Sequence, residues 1–134
     1  MGNKNKNYDQ KPVIKTLELL YMTPSEIRAK DIADLLQDAK GITAELWEEM
    51  NVLELELSNQ NSVDFEPLDT HFSNPSDAAF IKNRGIMTIF AVCVKEEDFQ
   101  ELKAIFEVIV LQYNGFLCSD TEDFQPVHVG SATK

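Results

Sequence analysis

The chain has 134 residues, 43 % of them hydrophobic, and a formal net charge of −11, which suits one domain with its own core. The acidity falls after Lys40: residues 1–40 carry seven Lys/Arg against six Asp/Glu, residues 41–134 five against seventeen, and residues 41–81 hold nine carboxylates and no Lys or Arg. Such a surface repels a phosphate backbone and argues against direct nucleic-acid binding, and no apolar run approaches the roughly 20 residues of a membrane span.

The first ten residues, MGNKNKNYDQ, are polar, lack an apolar h-region and read as a disordered lead. Lys6 stands where an N-myristoylation motif wants Ser or Thr. Residues 11–130 then form a single domain, with 131–134 as a tail. Cys93 and Cys118 make neither a C-x-x-C pair nor a secreted disulfide framework, so reduced thiols and a cytoplasmic location are expected.

Pro12 to Met22 places Val13, Leu17, Leu20 and Tyr21 at helical spacing and predicts an N-terminal helical segment. Thr23-Pro24-Ser25-Glu26 has the form of a capping box with proline at the first helical position, starting a helix that runs to about Lys40. Thr43 can cap a short helix through Met50 that turns Leu46, Trp47 and Met50 inward.

From Val52 the period changes to two. Leu53, Leu55 and Leu57 alternate with Glu54 and Glu56, and Val63, Phe65 and Pro67 with Asp64 and Glu66, the pattern of a β-hairpin with one apolar and one acidic face. A short helix over 75–83, ended by Gly85, precedes Ile86 to Val94, whose β-branched and aromatic content predicts a strand buried on both faces. Phe99, Leu102, Ile105, Phe106, Ile109, Val110 and Tyr113 trace an i, i+3, i+4 stripe that predicts a helix from about Glu96 to Tyr113. Asn114-Gly115 ends it, and a last strand begins at Phe116 and resumes over Phe124 to Val129.

These elements predict an α+β domain: one mainly antiparallel sheet, made of the hairpin and two later strands, with helices packed on one face. The order from Pro12 to Asp69 also matches a winged helix-turn-helix. The would-be recognition helix, however, carries Glu45, Glu48 and Glu49, and the would-be wing Glu54, Glu56, Asp64 and Glu66, where a DNA reader places cations and amides.

No phosphate-binding loop, H-E-x-x-H or G-x-S-x-G occurs, and no cofactor is expected. The reading favoured by charge is a non-enzymatic binding or regulatory domain, an inhibitor or adaptor of a basic protein. Its contact surface is centred on Trp47, Glu48, Glu54, Glu56, Asp64 and Glu66, because opposed fields steer encounter and set specificity. A small enzyme or metal-binding domain is the alternative, drawing on Cys118, Asp120, Glu122, Asp123 and His128, where oxygen ligands on alternate residues suit a hard cation. The EF-hand spacing is absent there. A homo-oligomer paired through a strand edge or a helix face is a third reading, opposed by the net charge unless the contact is mainly hydrophobic.

Overall fold

The computed structural model describes residues 15–132, so the lead expected over residues 1–10 lies outside the described residues. The chain forms β1 (Thr16–Thr23), α1 (Ala29–Leu35), β2 (Thr43–Trp47), β3 (Val52–Glu56), β4 (Ser62–Leu68), α2 (Pro75–Asn83), β5 (Thr88–Lys95), a 3₁₀ turn at Glu96–Asp98 leading into α3 (Phe99–Tyr113), β6 (Phe116–Ser119) and β7 (Val127–Gly130). The strands make one sheet in the order β2-β3-β4-β5-β1-β6-β7, every neighbouring pair antiparallel. The α+β expectation holds, with more strands than foreseen.

Among the described residues the N-terminal helical segment expected from Pro12 to Met22 is not found; residues 12–14 lie outside them. Residues 16–23 are β1, in the middle of the sheet between β5 and β6. Leu19, Leu20, Tyr21 and Met22 are all buried, because a central strand covered on both faces carries a continuous apolar run rather than an alternating one. Residues 43–47 are likewise strand, not helix: β2 pairs with β3 across a four-residue turn closed by Asn51 at φ 59°. With strands in place of its first and third helices, the winged-helix order disappears.

Helices cover both faces of the sheet, not one. Leu19, Tyr21, Leu53, Leu55, Val63, Phe65, Phe90 and Val92 face α1 and α3 in the larger core, where Phe106 stacks on Phe65 and meets Tyr21. The alternate residues Leu20, Met22, Ile89, Phe116 and Cys118 form a second core with Phe80 and Ile81 of α2. This second layer packs on Leu20 and Met22 of β1, Ile89 of β5 and the outer side of β6; among the described residues it leaves bare the outer face of β2, β3 and β4 and, beside it, Glu18 and Cys93.

The Thr23 to Glu26 segment does not cap α1. Thr23 and Ser25 both donate their hydroxyls to the carbonyl of Tyr113 (2.6 and 2.7 Å), satisfying an acceptor in the last turn of α3 that has no helical partner. The α1 helix starts later, where the Asp31 carboxylate accepts from the Arg28 N–H at 2.8 Å. At the other end of the chain, Arg84 donates from Nε to the Ala132 carbonyl at 2.6 Å and lies over the Phe80 ring.

Candidate acidic interface

Strand pairing decides where the carboxylates go. Successive side chains alternate between faces, so with Leu53, Leu55, Val63 and Phe65 in the core, Glu54, Glu56, Asp64 and Glu66 project from the bare outer face. The register sets them in line: Glu45 is opposite Glu54, Glu54 opposite Asp64, Asp64 opposite Cys93, and Cys93 opposite Glu18. A row of acids thus crosses five strands with one thiol in it. Trp47 and Val52 form the adjacent rung, and Glu66 follows beside Ala91.

No Lys or Arg occurs on β2, β3 or β4. Lys95 of β5 lies on the same face two residues beyond Cys93 and gives its ammonium to Asn61 Oδ1 at 3.0 Å. The crowding has an electrostatic signature at Glu54. Its pKa is raised, first by partial burial, then by the Asp64 carboxyl beside it and by the charges of Glu45 and Glu56. The Cys93 thiol is pushed up too, chiefly by burial and then by Asp64, Glu18 and Glu66.

Trp47, 40 % exposed, stands at the end of β2. Glu48 lies in the β2–β3 turn with its side chain exposed, its carbonyl accepting from Arg28 Nη2 at 3.3 Å. Trp47, Glu54, Glu56, Asp64 and Glu66 therefore share one face, and Glu48 borders it.

Asp120 joins that face. Its N–H donates to the Glu18 carbonyl, and Glu18, Asp64, Glu66 and Asp120 ring a depression of about 270 Å³ floored by Ala91 and Cys93. Neither the alternation of the hairpin nor the spacing of 119–123 could reveal this, since β1 and the β6–β7 loop bring Glu18 and Asp120 to it from distant parts of the sequence.

Other members of the Cys118 to His128 segment are dispersed. Cys118 is fully buried against α2, its thiol pushed up to about 12 by burial and then by the charge of Asp120. His128 points to the opposite side of the sheet, where Nε2 meets Ser119 Oγ at 2.8 Å and the ring packs edge-on against Phe99; burial and Lys103 lower its pKa. The Asp123 carboxylate accepts from Thr121 and from the Gln125 N–H. Glu122 and Asp123 line an open hollow of about 610 Å³ with Asp77, Phe80 and Phe124 beside the start of α2. Among the described residues no group of three or more His, Cys, Asp or Glu side chains is placed to hold a metal ion, and no helix is long and apolar enough to cross a membrane.

Comparison with known protein families, with curated proteins and with solved structures finds no match to this chain.

Proposed function

We propose that this chain is a non-enzymatic binding protein that engages a basic protein partner through the bare, acidic outer face of its sheet, acting as an inhibitor or adaptor in the cytoplasm. The observation that supports this reading is the cross-strand row Glu45, Glu54, Asp64 and Glu18, flanked by Glu56 and Glu66. Like charges opposed across a sheet weaken it, and a basic surface laid on the row converts that repulsion into attraction. Trp47 supplies an aromatic side chain of the kind that anchors interfaces.

The test is affinity capture from host lysate at low and moderate salt, run in parallel with the Glu54→Lys, Glu56→Lys double variant. A basic protein retained by the natural chain, released as salt rises and lost in the variant, with the circular dichroism spectrum unchanged, supports the reading. Equal capture by both chains sinks it.

A further inference from the structure

The acidic row ends at β2, and β2 is an edge of the sheet: among the described residues no strand pairs with its outer side. Thr43, Ala44, Glu45 and Trp47 are exposed, and only Leu46 leans toward the core. Edge strands are ordinarily blunted by shortness, charged side chains, Pro, a bulge or a covering element; β2, five residues long, carries a single charge, Glu45. β2 reads Thr-Ala-Glu-Leu-Trp and keeps unbroken register with β3 along its length, so half of its backbone donors and acceptors face outward in regular extended geometry.

The charge row selects what can lie there. A second copy of β2, paired antiparallel about its centre, sets Glu45 against Glu45 and joins two carboxylate rows end to end, which the cross-strand rule penalises. A strand with Lys or Arg opposite Glu45 continues the row with the opposite sign. Alternate residues of that strand fall beside Leu46, on the side where α1 packs against β2 and β3, so apolar side chains suit those positions.

We infer that β2 is a docking edge that captures an extended basic segment of the partner as an added strand, with Lys or Arg facing Glu45 and apolar residues beside Leu46. The inference rests on the acidic-face reading and specifies how the partner is held: backbone hydrogen bonds supply affinity, and the alternation of side chains supplies register.

The probes are three short synthetic peptides presented to the full chain at low salt. One alternates Lys and Val, one has the same composition with the alternation scrambled, and one repeats the alternating sequence with N-methyl groups on every second backbone nitrogen. Trp47 is the only tryptophan and reports binding by fluorescence; amide hydrogen exchange locates it. The alternating peptide is expected to bind about tenfold tighter than either control, the equivalent of one or two net hydrogen bonds. It should slow exchange within 43–47, and Glu45→Lys, an exposed change checked by circular dichroism, should abolish the preference.

Equal binding of all three peptides with exchange at 43–47 unchanged, while Glu54→Lys still weakens them, overturns the docking edge and leaves the acidic face standing. Protection of 43–47 without peptide, accompanied by dimers in sedimentation, overturns it in favour of a second copy. Failure of every basic peptide to bind removes both readings.

Discussion

Removing the Asp98 carboxylate should loosen the β3–β4 hairpin and cost about 3 kcal/mol. Asp98 is 4 % exposed, the one buried charged side chain among the described residues. Its two oxygens accept from Asn59 Nδ2 and Asn61 Nδ2, each at 2.8 Å, which ties the loop joining β3 to β4 onto the turn that opens α3. Hydrogen bonds to a charged group contribute roughly 1.5–3 kcal/mol each, and water returns part of this at exposed Asn59 when the bond is lost. Asp98→Ala should therefore lower the urea midpoint by roughly 2 M for a slope near 1.5 kcal/mol/M, or the melting temperature by about 10 °C. Asp98→Asn should still lose more than about 1 kcal/mol, because its own NH₂ must face one of the two asparagine NH₂ groups. Urea titration followed by circular dichroism reads both. An Asp98→Ala variant within about 0.5 kcal/mol of the natural chain, the range of an ordinary surface change, would refute this account of the anchor.

The remaining predictions concern the acidic face and the backbone. The pKa of Glu54 is raised in the fold above its ordinary 4.5, so the stability that its protonation contributes is fully present below 4.5 and is lost as pH rises through the folded value. The melting-temperature gap between Glu54→Gln and the natural chain should accordingly be widest near neutrality and narrow as pH falls toward 4.5; a constant gap would contradict the crowding. At pH 8 iodoacetamide should label Cys93 and spare Cys118 in the native protein, and Asp64→Asn should speed the reaction at Cys93, as read by mass spectrometry; unchanged rates would detach Cys93 from the acidic row. Gly115→Ala should cost about 3 kcal/mol or more, since a Cβ at φ +85° would overlap the Met22 carbonyl oxygen. Gly85→Ala, at φ +62° in open space, should cost only about 1–2 kcal/mol, and denaturation midpoints would separate the two.

The parts of the fold legible in the sequence are those whose burial is one-sided. Leu53, Leu55, Val63 and Phe65 are fully buried and alternate with acids, so the hairpin and its acidic face follow from a period of two. The α3 stripe is equally clear, with Leu102, Ile105, Phe106 and Ile109 buried. The strand β1 was hidden because burial on both faces erases alternation, leaving Leu17, Leu20 and Tyr21 to mimic a helix. The strand β2 was hidden for the opposite reason: at the edge almost nothing on it is buried, and Thr43, Leu46, Trp47 and Met50 happen to share helical spacing. The same two misreadings obscured the full extent of the acidic row, since Glu45 and Glu18 sit on these two strands. Alternation on β3 and β4 alone could supply only the middle of it.

The second helical layer, α2, covers only part of the sheet and leaves β2, β3 and β4 with one working side. On those strands the residues that hold the fold and the residues that meet the surroundings occupy separate, alternating positions. Substitutions at Glu54, Glu56 and Glu66 leave Leu53, Leu55 and Phe65 untouched, and several relieve repulsion. The sheet is thus a platform whose outward chemistry can be rewritten one alternate residue at a time, with the core as a fixed reference, so a change in what this surface recognises requires no new fold.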